Sequence, residues 1–209
     1  FRVASFLHDN RSQKTNSNFS LSDKTPLLGA LLVWHKNQDG SGLRLKIGNS
    51  YQKKNLQTTR QQVGVSESAI GETILRAESI FGEVRYDKRI SDSFKLSPFI
   101  AIRTSNKTQQ GYTETSANNP LSYNTINIES DTLLIGTHIN KSLGDRFAIN
   151  TVLGLEYDTS YNASSIAPTG INGLTTVNLE SDYEDKRAVI ALGFDYDYDQ
   201  EKKLIAKIQ

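Results

Sequence analysis

Apolar and polar residues alternate along much of this chain, in stretches of about ten positions. Within residues 146–160 one series is apolar or aromatic apart from one threonine: Phe147, Ile149, Thr151, Leu153, Leu155 and Tyr157. The intervening series is mostly small or polar and ends in Glu156 and Asp158. A period of two is the signature of a β-strand with one apolar face. The same pattern fills residues 186–199, so both segments are predicted to be long strands.

Seven further segments carry the same pattern more weakly, which gives about nine strands in all. They are residues 1–8, 29–36, 43–52, 80–87, 96–103, 133–140 and 203–209. Connectors of two sizes alternate between them. Short turn-forming segments lie at 37–42, 91–93 and 143–145, and long polar segments rich in Asn, Ser and Thr lie at 9–25, 56–67, 108–123 and 161–184. Short turns at one end and long loops at the other are typical of a transmembrane β-barrel.

Composition narrows this interpretation only slightly. Hydrophobic residues make up 36% of the chain, and no stretch approaches the roughly 18 apolar residues of a transmembrane helix. A transmembrane strand buries only alternate residues in lipid, so this does not argue against a barrel. Cysteine is absent and the net charge is +1, so we expect no disulfide, no thiolate metal site and no nucleic-acid partner.

Strand length and tyrosine placement favour a membrane barrel over a soluble sandwich. The two longest strands exceed the usual five or six residues and match the span of a tilted strand across a bilayer. Aromatic side chains end the apolar stripes, as a membrane-interface girdle requires. The tyrosines predicted to lie at the interface are Tyr51, Tyr86, Tyr157, Tyr196 and Tyr198.

Three short motifs resemble the translocator domain of bacterial autotransporters. Leu96-Ser97-Pro98-Phe99 is similar to a strand motif of that family, and Gly111-Tyr112-Thr113-Glu114 is similar to the start of one of its extracellular loops. Leu153-Gly154-Leu155-Glu156-Tyr157 resembles a later strand. The resemblance implies a twelve-stranded antiparallel up-and-down barrel in the bacterial outer membrane, inserted by the barrel-assembly machinery. It also implies an N-terminal passenger, exported through the barrel and anchored by it.

On this basis residues 1–209 are expected to form one barrel domain, incomplete at both ends. The resemblance places a pore helix and the first strands before Phe1, and a final strand ending in an aromatic residue after Gln209. Charged residues of the non-apolar series would then face a water-filled lumen. The predicted lumen residues are Arg44, Lys46, Glu83, Arg85, Asp87, Arg103, Glu156, Asp195 and Asp197.

Other functions stay open from sequence alone. The chain could be another outer-membrane barrel, such as a porin or adhesin, or a soluble all-β module that binds surfaces. Catalysis is not expected, because His8, His35 and His138 lie in different strands and no nucleophile elbow, P-loop or zinc motif is present. No cofactor and no metal are predicted; the carboxylates of Asp195, Asp197 and Asp199 fit a charged lumen better than a calcium site.

Overall fold

The computed structural model describes residues 2–9, 19–21, 26–62, 67–178, 183–199 and 202–208. Side chains are described within 2–5, 27–62, 67–178 and 183–196. The strands of these residues are β1 (Arg2–Asp9), β2 (Phe19–Leu21), β3 (Pro26–His35), β4 (Gly42–Arg60), β5 (Ala69–Ser91), β6 (Phe94–Gln109), β7 (Tyr112–Thr113), β8 (Ser122–Tyr123), β9 (Ile126–Ser142), β10 (Phe147–Ala163), β11 (Lys186–Asp199) and β12 (Lys202–Ile208). Among the described residues no helix has the length and apolar character needed to span a membrane.

Nine strands form one antiparallel sheet in the order β1-β3-β4-β5-β6-β9-β10-β11-β12. The short strand β2 pairs with the far end of β4, and β7 and β8 form a small hairpin of their own. Each strand of the path therefore lies beside its neighbour in sequence, apart from these small insertions. The predicted all-β, antiparallel, up-and-down fold is confirmed. The sheet is open: within the described part of the chain, no pairing joins β1 to β12.

Several strands extend well beyond their predicted ends at the long-loop side of the sheet. β4 has 19 residues and β5 has 23, and the two stay in register from Gly42↔Asp87 to Arg60↔Ala69. The loop predicted at residues 56–67 is therefore shorter, because its first residues belong to β4. Strand ends with water on both faces need no apolar stripe, so alternation could not reveal them.

The register gives the sheet one continuous apolar face. The rows Leu32↔Ile47, Val84↔Ile100, Ile100↔Ile135, Ile135↔Leu155 and Leu153↔Ile190 carry exposed aliphatic side chains across seven neighbouring strands. Trp34, the single tryptophan of the chain, pairs with Leu45 and belongs to the same face. Exposed apolar patches of this size are rare on monomeric soluble proteins and mark an interaction surface.

Tyrosines lie at both ends of this apolar face. Tyr86 and Tyr196 lie near the short turns, while Tyr51 and Tyr157 lie toward the long loops, and all four are exposed. Ten residue steps separate Phe147, which pairs with Tyr196, from Tyr157 on β10. That is about 33 Å of strand at ~3.3 Å per residue, or roughly 25 Å of height at a tilt of about 40°. This height equals that of the apolar band of an outer-membrane barrel, about 25 Å.

Candidate functional site

The opposite face of the sheet, here called the polar face, carries two clusters of charged side chains. The first lies on β4, β5 and β6 near the short turns. Arg85 Nε is 3.0 Å from Asp87 Oδ1, and Lys95 Nζ is 3.7 Å from the same oxygen. Lys95 also donates to the carbonyl oxygen of Gly40 in the β3–β4 turn, at 3.1 Å. Glu83 lies 3.9 Å from Arg85 and 4.0 Å from Lys46. Three cations and two carboxylates thus alternate on neighbouring strands, and the ion pairs among them leave a net charge of +1.

The second cluster lies toward the long loops, on β6, β10 and β11. Arg187 contacts two carboxylates: its Nη2 is 2.8 Å from Asp158 Oδ2, and its Nε is 3.4 Å from Glu156 Oε2. Arg103 Nη2 lies 3.3 Å from the other oxygen of Glu156. Thr132 Oγ1 donates to Asp158 Oδ1 at 2.6 Å. Two arginines therefore share two carboxylates across three strands.

Neutral polar side chains continue the polar face between the charged residues. Ser50 and Ser79 are joined by a hydrogen bond of 2.8 Å, and Ser105 and Ser130 by one of 2.7 Å. Both pairs border an open cavity of about 540 Å³, which the second charged cluster also lines. A cavity with hydroxyl and charged walls holds water readily, because its lining supplies hydrogen-bond partners.

Two glycines let aromatic rings lie flat against the polar face. A Cβ on Gly48 would come within 2.6 Å of the Phe81 ring, and one on Gly136 within 2.9 Å of the Phe99 ring. The Gly136 Cβ would also collide with the carbonyl oxygen of Leu153 on the neighbouring strand. No larger residue fits these positions without moving the ring or the backbone. The polar face is therefore closely packed at these two points.

A third polar group lies above the sheet, where the β6–β9 loop folds back. Glu114 follows β7 and is 5% exposed. Its carboxylate accepts hydrogen bonds from Arg60 Nε at 2.9 Å, Arg60 Nη2 at 2.9 Å and the Leu121 backbone N–H at 2.9 Å. The Tyr123 hydroxyl donates to it at 3.4 Å. Glu114 thus joins the two ends of this loop to each other and to Arg60, the last residue of β4, which lies 54 positions away in sequence.

Titration of this group follows from its surroundings. Burial alone would raise the pKa of Glu114, but the bonds from Arg60 and from the Leu121 backbone outweigh it and hold the pKa below its usual value. Burial and the neighbouring Glu114 charge raise the pKa of Tyr123 to about 12. At neutral pH the carboxylate is therefore charged and the tyrosine is a neutral donor.

The residues predicted for the lumen share the polar face wherever their side chains are described. Arg44, Lys46, Glu83, Arg85 and Asp87 belong to the first cluster or its rows, and Arg103 and Glu156 to the second. Asp195 pairs with Ala148 on the same face. The side chains of Asp197 and Tyr198 lie outside the described residues. Tyr51, Tyr86, Tyr157 and Tyr196 all belong to the apolar face.

His138 and Asp158 lie far apart on the polar face. The His138 ring lies 4.8 Å from the Phe99 ring, centroid to centroid, in the row of Val152. Asp158 is paired with Thr132, six residues further along β9, which corresponds to about 20 Å of strand. General acid–base catalysis requires groups within hydrogen-bond reach, so these two residues cannot act together.

Alternation with an apolar band on one face and solvated charges on the other defines the class of outer-membrane β-barrels. The chain belongs to the autotransporter family: the Autotransporter beta-domain model matches residues 5–205. It is an outer-membrane translocator barrel that exports a passenger. Comparison with curated proteins and comparison with solved structures gave no match.

Sequence reasoning missed the Arg60–Glu114 pair as a unit. Glu114 stands in the motif that resembles the family's loop start, but Arg60 was assigned to a loop. The pair becomes visible only when β4 is extended to its true end, next to Ala69. The only signal in the sequence is weak: Glu114 directly follows the β-forming residues Tyr112 and Thr113. It does not indicate which residue Glu114 pairs with.

Proposed function

We propose that the polar face of this sheet lines the translocation path and that its charged residues keep the path hydrated. The residues proposed for this role are Arg44, Lys46, Glu83, Arg85, Asp87, Arg103, Glu156, Asp195 and Asp197. An unfolded passenger has unpaired backbone N–H and C=O groups, which hydrocarbon cannot satisfy and a hydrated wall can. The arrangement of the second cluster carries this proposal: Arg103, Glu156 and Arg187 border an open polar cavity instead of a packed core.

The wall also has the charge balance that passage requires. Carboxylates and cations alternate at distances of 2.8 to 4.0 Å, so the wall presents no large excess of either sign. A strongly one-signed lumen would hold passenger segments of the opposite charge. A balanced wall interacts weakly with any sequence, and this suits a path that must release what passes.

Passage through such a wall needs no catalytic residue, and we propose that this domain has none. The separation of His138 from Asp158 supports this. We further propose that residues 1–209 belong to one barrel domain, which the unbroken pairing path from β1 to β12 supports. Its partners would be outer-membrane lipid around the apolar face, with Tyr51, Tyr86, Tyr157, Tyr196 and Tyr198 at the interfaces, its own N-terminal passenger, and the barrel-assembly machinery.

Single cysteines test the assignment of the two faces, because the chain has none of its own. Ser105→Cys probes the polar face of β6, and Ile102→Cys is its matched control on the apolar face of the same strand. The complete gene product is expressed in Gram-negative cells, and its outer membranes are treated with a membrane-impermeant maleimide. We expect rapid labelling at position 105 and labelling at 102 only after the protein is denatured.

A second arm tests passage itself. A passenger carrying one cysteine and stalled by a folded module is expected to form a disulfide with Ser105→Cys and not with Ile102→Cys. Labelling at 102 with protection at 105 would contradict the proposed orientation of the sheet. Correct labelling without any passenger disulfide would leave the membrane orientation standing and overturn the polar face as the path.

A further inference from the structure

Two cations lie side by side on the outward surface, just beyond the apolar face. Lys53 on β4 is directly opposite Arg76 on β5. Both side chains are exposed. Lys53 follows Tyr51 by two residues on the same face of β4, so the pair lies about 7 Å further along the strands toward the long loops.

Like charges directly opposite each other in an antiparallel pair repel and destabilise it. Among the residues whose side chains the structure describes, no carboxylate forms an ion pair with Lys53 or Arg76. Glu78, the nearest carboxylate on this face by register, lies opposite Tyr51 and leaves the group with a net positive charge. An anion supplied from outside the chain would therefore balance the remaining positive charge of the pair.

The position of the pair indicates which anion. In an outer-membrane barrel the long loops face the cell exterior, so this side of the apolar face meets the outer leaflet. A residue just beyond the tyrosine row lies at the depth of lipid headgroups. Lysine and arginine can lay their aliphatic stems along apolar surface while their charged ends remain in the polar layer.

We propose that Lys53 and Arg76 together bind the phosphate of an anionic lipid headgroup in the outer leaflet. The arginine fork binds two phosphate oxygens, and the lysine adds a point charge from the neighbouring strand. The site is local, because the neighbouring positions in this row are neutral: Thr108 on β6 is opposite Arg76, and Asn127 on β9 is opposite Thr108. One tightly held lipid per chain is therefore expected. The inference rests on the outer-membrane location of the family.

Native mass spectrometry of the full chain, folded in a neutral detergent, tests this inference. The protein is mixed with a phosphorylated lipid A, with the same lipid after removal of its phosphates, or with inorganic phosphate. We expect one tightly bound phosphorylated lipid in the wild type and at least about tenfold weaker binding in the Lys53→Gln, Arg76→Gln double variant. Arg76→Lys, which keeps the charge but not the fork, should show an intermediate loss.

The matched control is Lys107→Gln with Arg146→Gln, which removes two positive charges from exposed positions on the polar face and in a short turn. It should bind the lipid as the wild type does. All variants should also show the wild-type change in gel mobility on heating, which reports a folded barrel. Equal losses in the test and control variants would overturn the site in favour of general charge attraction. Equal binding of the dephosphorylated lipid, or displacement by millimolar inorganic phosphate, would overturn it as well.

Discussion

Two arginine–glutamate pairs in this molecule show how the same chemistry serves different purposes. Arg60 and Glu114 meet through two bonds of 2.9 Å, and the Glu114 side chain is 3% exposed. Arg103 and Glu156 meet at 3.3 Å beside the open cavity, and their side chains are 45% and 14% exposed, against 21% and 3% for Arg60 and Glu114. The first pair is a buried bond that holds a loop; the second is a more exposed pair on the polar face. Burial, and not residue type, decides which role a pair has.

The largest effect is expected from Glu114→Gln. The substitution removes the charge from a buried carboxylate and leaves Arg60 without its counter-ion, which costs about 3 kcal/mol in local stability. Hydrogen exchange at the Leu121 and Ser122 amides should quicken, while exchange in β10 should not change. Unchanged exchange at Leu121 would show that the loop is held by other contacts.

The polar face is expected to be rigid at Gly136, where the backbone lies against the Phe99 ring. Gly136→Ala should destabilise the folded barrel by about 2 kcal/mol, because the new methyl group meets the Leu153 carbonyl and the Phe99 ring. Gly82→Ala is the matched control, since its nearest heavy atom would be 3.9 Å away. Urea unfolding followed by gel mobility measures both. Equal midpoints for the two variants would contradict the close packing described for Gly136.

Acidification should release the loop without any substitution. The folded-state pKa of Glu114 is depressed, so its contribution to stability is present above the unfolded value of about 4.3 and is lost as pH falls through the folded value. The loop should be fully protected well above the unfolded value, and its protection should fall progressively as the pH is lowered through the folded-state pKa. Exchange at Leu121 as a function of pH follows this, and Glu114→Gln should remove the dependence.

The smallest effect is expected from Glu156→Gln on the wall. Water already solvates its partner Arg103, and Arg187 keeps Asp158, so the loss should stay within about 1 kcal/mol. The unfolding midpoint should barely move. A loss as large as that of Glu114→Gln would mean that the second cluster is a buried bond and would remove the contrast between the two pairs.

How much of this structure the sequence predicts depends on what surrounds each residue, lipid or water. Inside the apolar band one face of each strand contacts lipid and the other contacts water. Alternation such as that of Leu153, Gly154 and Leu155 therefore predicts both the strand and the face on which each residue lies. Beyond the band both faces are wet, and nothing in the sequence marks residues 53–60 as strand. Partners such as Arg60 and Glu114 depend on register and loop return, which local pattern does not encode.

The position of Trp34 gives the molecule an internal optical reporter. It is the single tryptophan of the chain, and its row lies two residues from that of Tyr86 near the short turns. Its fluorescence therefore comes from one known depth on the apolar face. Emission should shift to shorter wavelength when β3 enters the bilayer, and lipids brominated at defined carbons should quench it according to their depth. The time course of insertion of this edge of the sheet can thus be followed without adding a label.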